Sequence, residues 1–366
     1  MYIDSISSEN FRLLQRQTVE FSENVNVICG DNAQGKTTLL EAVYLLTGTH
    51  SFRTRFDKEL IAWNADFASL DGRLYAQERS QRVELLLRRG RSRQMKLNGA
   101  KCSPAEITGR VTAVLFCPDD LSLVRGGAAL RRRLLDAAIS QLRPGYAALL
   151  SDFAQLYENK TRILRDWREK KSLLEPLDEF SDALCRCSAR IIRYRASFAR
   201  RLMAAAVPVH RDFSGGGEEL GGEYVTVSSV TDPEAAESLI FEEIARRQQE
   251  LRQAELDSGL CLVGAHKDDL LLTVNGEPAG KYASQGQTRT AALSLKLAER
   301  EIFLEETGES PILLLDDVLS ELDSARQEFV LNRISGGQTL ITCCDGAAIT
   351  RLTGGRVLRV EGGRIT

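Results

Sequence analysis

The sequence has few residues of the kinds that build metal sites, membrane spans or disulfide frameworks. Only three of its 366 residues are histidines, and they are scattered along the chain. Its eight cysteines show no spacing typical of a zinc site. No apolar run approaches the ~18–20 residues that cross a bilayer, and no basic segment followed by an apolar one opens the chain as in a signal peptide. We therefore expect a cytoplasmic protein with no membrane contact and reduced cysteines.

A strong excess of charge of one sign is also missing. The formal net charge is -3, which excludes a uniformly basic surface but allows a basic patch. Such a patch is present in the sequence, because residues 125–201 hold 17 cationic side chains against 9 acidic ones. Hydrophobic residues make up 43% and charged residues 27%, which is typical of a globular protein.

Strand and helix patterns divide the chain into two parts. The middle, residues 125–255, has long helical patterns with a turn-rich stretch at 214–222, whereas both ends carry strand patterns. We predict an α/β domain made of residues 1–124 and 256–366, with an inserted helical domain at 125–255. The strand patterns lie at residues 2–6, 17–21, 25–29, 67–70, 73–76, 83–87, 94–97, 111–116, 260–263, 270–274, 312–315 and 339–342.

A glycine-rich loop follows the apolar strand pattern at 25–29 and precedes a helical one. It reads GxxxxGKT and is formed by Gly30, Asp31, Asn32, Ala33, Gln34, Gly35, Lys36 and Thr37, with Thr38 next. In such loops the backbone N–H groups and the helix dipole bind phosphate. The lysine reaches the outer phosphates and the threonine hydroxyl binds Mg²⁺. The sequence therefore predicts an ATP and Mg²⁺ site.

Two acids end a second apolar strand pattern, at residues 311–317. Asp316 is predicted to bind the magnesium ion, and Asp317 is placed where a base orients the attacking water. Further along, Ser284, Gln285, Gly286 and Gln287 open a long helical pattern. Serine and glycine at a helix start are good anion donors.

These segments together resemble the RecF family of bacterial DNA repair, which belongs to the ABC-type ATPases with Rad50 and the SMC proteins. The resemblance spans nearly the whole chain, in matching order. It is carried by residues 10–12 (NFR), 30–42 (GDNAQGKTTLLEA), 282–289 (YASQGQTR) and 315–323 (LDDVLSELD). It implies an ABC-type ATPase head with an N-terminal antiparallel β region, in which Arg12 approaches the nucleotide.

The resemblance also implies how such a protein works. Residues 284–287 correspond to the signature motif, which meets the γ-phosphate of ATP bound to a second subunit, so ATP holds a homodimer together. Slow, DNA-stimulated hydrolysis then releases it. The implied partners are single-stranded and gapped or junction DNA, together with RecO and RecR, which load RecA. Arg131, Arg132 and Arg133 are candidate DNA contacts within the basic helical segment.

The alternative is the ATPase subunit of a transporter or another ABC-type machine. A transporter would have a switch histidine after the strand at 339–342, where this chain has Cys343 and Cys344. The SGGQ at residues 335–338 resembles a transporter signature but follows the acidic strand instead of preceding it, so we expect a turn there. Rad50 and SMC proteins carry far longer coiled coils than the helical segment allows. The chain departs from the RecF pattern at Ala265 and Lys267.

Overall fold

Two six-stranded sheets and a set of long helices form the body of the chain. A computed structural model describes residues 1–54, 56–226, 230–334, 336–344 and 354–366. Across these ranges no helix is long and apolar enough to span a bilayer. All eight cysteines fall within them and are free thiols. Cys344 is exposed and lies just after the strand that ends at Cys343.

The first sheet is antiparallel and comes from the N-terminal part of the chain, as predicted. Its strands follow the order β2-β1-β4-β5-β6-β7. The strand patterns predicted at 67–70 and 73–76 form one strand, in which Gly72 keeps its place in the ladder. A Cβ on Gly72 would come within 2.2 Å of Leu46, so glycine lets the sheet approach the end of the helix beneath it. The strands are β1 (Tyr2–Glu9), β2 (Gln17–Glu20), β4 (Phe67–Ala76), β5 (Arg79–Arg88), β6 (Gln94–Leu97) and β7 (Ala100–Cys102).

The second sheet is mostly parallel and combines strands from both ends of the chain. Its order is β15-β14-β3-β13-β12-β8, with only β15 antiparallel to its neighbour. Alternate residues of β12 enter different cores, Leu314 with helix α1 and Leu315 with helix α8, so both faces are buried. The elements are β3 (Val25–Cys29), α1 (Lys36–Leu45), β8 (Ala113–Phe116), α8 (Gln285–Thr307), β12 (Ile312–Asp316), β13 (Thr339–Cys343), β14 (Arg356–Glu361) and β15 (Arg364–Ile365).

The middle of the chain is mainly helical, as predicted, but also contributes a strand. That strand, β9, pairs with β10 in a three-stranded sheet of order β11-β10-β9. Its start at Leu220 shortens the predicted turn-rich stretch. The elements are α3 (Ala128–Leu142), α4 (Tyr146–Asp166), α5 (Leu177–Phe213), β9 (Leu220–Val225), α6 (Glu237–Ser258), β10 (Asp269–Val274) and β11 (Glu277–Pro278), and three short or peripheral helices are α2 (Pro104–Ile107), α7 (Ala279–Tyr282) and α9 (Ser324–Arg333).

The strand predicted at residues 260–263 is wrong. This segment is a loop that folds back on the end of α6, where the Leu262 N–H donates to Glu255 Oε1 at 2.7 Å. Its Cys261 packs in a small core with α4 and α5. The main core of the helical segment includes side chains of α8, so the predicted inserted domain and the ATPase head share apolar packing. We retain the domain boundaries as a proposal.

Candidate functional site

The glycine-rich loop lies between the end of β3 and the start of α1. A Cβ on Gly30 would meet the Val360 carbonyl oxygen at 2.3 Å, so only glycine allows β14 to pass this close. Gly35 precedes α1 with φ 114°, a backbone conformation that glycine adopts without strain. Gln34 fixes the loop from the other side, because its Oε1 accepts from the Gly362 N–H at 2.6 Å and its carbonyl from the Gly363 N–H at 3.0 Å.

Lys36 curls into the loop that precedes it. Its Nζ donates to the carbonyl oxygens of Gly30 at 2.6 Å and Asp31 at 3.2 Å, and the side chain is buried. Among the described residues, no side chain caps the start of α1 and its first turn holds no acid. The N–H groups there and the Lys36 ammonium thus offer an anion site. Thr38 is buried within the helix.

Thr37 and Asp316 meet at this helix start. Thr37 Oγ1 donates to Asp316 Oδ1 at 2.8 Å, and Thr342 Oγ1 on β13 donates to the same oxygen at 2.9 Å. Burial raises the pKa of Asp316, opposed by these hydrogen bonds. A hydroxyl and a carboxylate side by side are the hard oxygen donors that Mg²⁺ prefers, and a cation would offset the burial of the charge. The two residues predicted to hold magnesium are therefore adjacent.

Asp317 adopts an unusual backbone conformation at the tip of β12. Its φ is 53°, in the left-handed region that costs a non-glycine residue about 1 kcal/mol or more. The conformation is held by Thr342 Oγ1, which accepts from the Asp317 N–H at 2.8 Å, and by Ser320 Oγ, which donates to the Asp317 carbonyl oxygen at 2.6 Å. These two hydrogen bonds fix the backbone that carries the predicted base next to Asp316.

Arg12 is anchored to the helix that follows the loop. Its Nε and Nη2 contact the Glu41 carboxylate at 2.6 and 2.9 Å, and Ser51 Oγ donates to the same group at 2.5 Å. Arg53 lies 3.7 Å from it. Glu41 is fully buried, and the sequence analysis did not single it out. The signal available was an acid within the apolar run of α1. A contact of Arg12 with nucleotide stays a prediction.

The predicted signature opens α8 as expected. Ser284 is the N-cap: its Oγ accepts from the Gln287 N–H at 3.2 Å, and Gln287 Oε1 accepts from the Ser284 N–H at 2.8 Å. Ser284 and Gln285 are exposed. Arg326 of α9 contacts the carbonyl oxygen of Gly286. In the described part of the chain, none of the hydrogen bonds or ion pairs of residues 284–287 reaches the phosphate loop.

The three arginines named as DNA contacts have different surroundings. Arg131 is buried and makes a two-point ion pair with Asp269, at 2.7 and 2.8 Å, while also donating to two backbone carbonyls. Arg132 donates to the Asp268 carbonyl oxygen at 2.5 Å. Only Arg133 is exposed. Arg131 therefore stabilises the fold through its ion pair with Asp269. Arg133 is the member of the triplet that stays a candidate DNA contact.

The SGGQ sequence does not form a helix start. Ser335 lies outside the described residues, but Gly336 is in a turn with φ 87°, which leads into β13. Gln338 is buried and bridges the two sheets, because its amide contacts both the N–H and the carbonyl of Ile3 at 2.8 Å. The expectation of a turn here is confirmed for the described part.

A phosphate loop, an acid-ended strand and a serine-capped signature helix on a mixed α/β framework define an ABC-type ATPase head. The family model described as "RecF/RecN/SMC N terminal domain" matches residues 2–352. The chain belongs to the RecF family. It is 38% identical to the DNA replication and repair protein RecF of Bacillus subtilis (strain 168), over 100% of both chains. It is 37% identical to that of Listeria monocytogenes serotype 4b (strain F2365), over 96% and 95%.

Solved structures agree with this assignment. The chain superposes with TM-score 0.91 and 34% identity on "the recombination mediator protein RecF-ATPrS in RecFOR pathway", covering 100% of this chain and 97% of that one. The corresponding RecF-ATP structure gives 0.88 and 33% with the same coverage. An SMC head bound to the C-terminal winged-helix domain of ScpA matches at TM-score 0.54 and 14% identity over 100% and 96% of the chains, a likeness of fold alone.

Proposed function

We propose that this protein is an ATP-dependent DNA-binding protein of DNA replication and recombinational repair, in which ATP closes a homodimer. The observation that carries the nucleotide part is the contact of Thr37 with Asp316 beside the Lys36 loop. The likeness to the solved RecF-ATPrS and RecF-ATP structures supports ATP as the nucleotide. The family's replication and repair role supports the DNA part.

ATP binding would use the groups already gathered at the start of α1. The loop N–H groups and Lys36 would bind the phosphates once the lysine leaves the Gly30 carbonyl. Thr37 and Asp316 would hold Mg²⁺, which supplies positive charge against the phosphate oxygens. The Asp317 carboxylate would orient the attacking water, and slow hydrolysis, stimulated by DNA, would act as a timer.

Dimerisation would be completed by the signature of the partner copy. Ser284 and Gly286 lie at an exposed helix start and make no contact with their own phosphate loop among the described residues, so they are free to meet a nucleotide held by another subunit. ATP bound between two chains stabilises the dimer by mass action, and hydrolysis removes that gain.

The DNA partners we propose are single-stranded DNA and gapped or single-strand/double-strand junction DNA. RecO and RecR are the proposed protein partners, with loading of RecA as the outcome and the cytoplasm as the place of action. Support comes from the family membership and from structural relatives described as belonging to a RecFOR pathway. The basic excess in the helical segment is consistent with salt-sensitive phosphate binding.

Sedimentation velocity with ATP and with ADP tests the dimer. We expect ATP to produce dimers of the wild type and ADP to leave monomers. Ser284→Arg should bind ATP yet stay monomeric, because the long, charged arginine side chain blocks the signature surface. Lys36→Met should lose both nucleotide binding and dimers. ATP-dependent dimers of Ser284→Arg equal to those of the wild type would refute the shared site.

A further inference from the structure

Trp63 lies with its ring in solvent. The side chain is 94% exposed, although large aromatic side chains usually bury most of their area. It sits in the loop between the 3₁₀ turn Asp57–Leu60 and β4. Among the described residues, neither the apolar cores nor the nucleotide site includes this ring. Phe56, just before the same turn, is 59% exposed.

The backbone beneath Trp63 is held firmly despite the exposure of the ring. Arg89 Nε donates to the Ala65 carbonyl oxygen at 2.9 Å, and its Nη2 lies 3.3 Å from the carbonyl oxygens of Ala62 and Trp63. Three carbonyls of one loop are thus bound by one guanidinium. A ring presented from a fixed backbone loses less conformational freedom when it binds a partner.

Arg89 belongs to the turn between β5 and β6, which is unusually basic. Residues 88–93 read RRGRSR, with four arginines among six residues. Arg93 binds Asp57 at 2.5 and 2.9 Å and so ties this turn to the segment that carries Phe56. Arg88 and Arg91 are exposed, and their side chains have no ion pair or hydrogen bond with any described residue.

Cations outnumber acids in these two segments. Asp57 is engaged by Arg93, and Glu59 and Asp66 are exposed carboxylates, so three acids stand against five cations, Lys58, Arg88, Arg89, Arg91 and Arg93. Lys58 lies 5.4 Å from the centre of the Phe56 ring. We call the set Phe56, Lys58, Trp63, Arg88 and Arg91 the Trp63 surface.

We propose that the Trp63 surface binds single-stranded DNA, with Trp63 stacking on a base and Arg88 and Arg91 contacting the flanking phosphates. Exposed aromatic rings beside unpaired cations are how proteins hold single strands without reading their sequence. The inference rests on the proposed DNA-binding function and adds a contact on the antiparallel sheet to the one proposed for the helical segment. A single strand offers both contacts at once, a base for the exposed ring and phosphates for the two guanidinium groups, which favours it over a protein partner.

Intrinsic fluorescence isolates this ring, because the chain has only two tryptophans. Trp167→Phe leaves Trp63 as the sole indole, and oligodeoxythymidylate should quench its emission saturably, less so as salt rises. In the matched variant Trp63→Phe, the measured tryptophan emission comes from Trp167 alone. Its indole packs beside α6 and donates to the Leu256 carbonyl oxygen at 3.3 Å, so its emission should stay unchanged.

Affinity measurements separate stacking from charge. Binding of fluorescent oligodeoxythymidylate in the presence of ATP should weaken about tenfold in Trp63→Ala and change little in Trp63→Phe, which keeps a ring. Arg88→Gln with Arg91→Gln should lower the salt slope by about 1.4, since each contact with a single strand contributes about 0.7.

The possible failures are distinguishable. If the wild type binds the oligonucleotide and all of these variants bind equally well, the Trp63 surface is wrong while the proposed DNA-binding function stands. If the wild type binds no DNA with ATP, both fail. If Trp63→Ala leaves DNA binding intact but abolishes ATP-dependent dimers or association with RecR, the surface is a protein interface and the proposal is overturned.

Discussion

Arg326 connects the signature to the loop that follows the acidic strand. It donates to the Gly286 carbonyl oxygen at 3.3 Å and to Thr290 Oγ1 at 3.2 Å, and it also forms an ion pair with Asp323. The start of α8 and the end of the segment from residue 315 to 323 are therefore held by one side chain. Both regions belong to the motifs that carry the resemblance to RecF.

We predict that Arg326→Ala weakens ATP-dependent dimerisation about tenfold, or about 1.4 kcal/mol, because the signature loses its support. ATP binding by the monomer should not change, since the phosphate loop is untouched. Sedimentation with ATP measures the first and nucleotide titration the second. Arg333→Ala is the matched control, because Arg333 lies on the same helix, α9, outside the signature segment, and pairs with Asp212 at the surface. Equal dimerisation of both variants would contradict the prediction.

Asp317→Asn should slow ATP hydrolysis about 100-fold or more, the usual effect of losing a general base. ATP binding should persist, so dimers formed with ATP should last longer. The substitution is suited to this position because asparagine, like aspartate, tolerates positive φ. Phosphate release and the lifetime of dimers in sedimentation measure the two effects.

Asp4→Asn makes the same chemical change at an exposed position on β1 and should hydrolyse ATP like the wild type. Hydrolysis by Asp317→Asn at the wild-type rate would assign the base to another residue. Failure to bind ATP would indicate that Asp317 stabilises the conformation of the loop and does not orient the attacking water.

Stability should decline as the pH falls from about 6.5 to about 4 because of His266. Burial lowers the pKa of His266 to about 4, and the ring packs 4.6 Å from that of Tyr157. In this window the unfolded chain binds a proton that the folded chain does not, so the free energy of unfolding falls with pH. The contribution amounts to about 3 kcal/mol between an unfolded pKa of about 6.5 and the folded one. Urea unfolding at pH 7 and pH 4 measures it.

His266→Gln should remove most of this pH dependence, because glutamine keeps a donor for the Cys261 carbonyl oxygen without titrating. His50→Gln is the control. Burial lowers the pKa of His50 as well, yet its side chain lies at an exposed position and should account for a smaller share. An unchanged slope in His266→Gln would show that this histidine is solvated in the native state.

Substitutions at Arg131 should change stability, whereas substitutions at Arg133 should change DNA binding. Arg131→Ala should lower the free energy of unfolding by about 3 kcal/mol or more, since it leaves Asp269 without its partner. Arg133→Ala should stay within about 0.5 kcal/mol of the wild type. Arg133→Glu should weaken DNA binding without loss of stability if the helical segment contacts phosphate. A stable Arg131→Ala protein that binds DNA poorly would restore Arg131 as a contact.

Motifs whose chemistry is local could be predicted from the sequence. The phosphate loop, the acids after a buried strand and the capped start of α8 depend on neighbours within a few residues. Arg131 could not be placed, because its partner is 138 residues away and three consecutive arginines look alike in a sequence. The apolar run at 260–263 was misread for a related reason, since periodicity does not distinguish a strand from a buried loop.

The position of β3 constrains the order in which this protein can assemble during synthesis. Both neighbours of β3 in the sheet, β13 and β14, are formed by residues from 339 onward, and Thr37 finds Asp316 only 279 residues later. At about 5–20 residues per second, roughly 15–60 s pass before the ribosome delivers these partners. During that interval the chain carries a nucleotide motif with no sheet to support it, so competence to bind ATP should appear late and all at once, and a stalled ribosome should release fragments that are inert towards nucleotide.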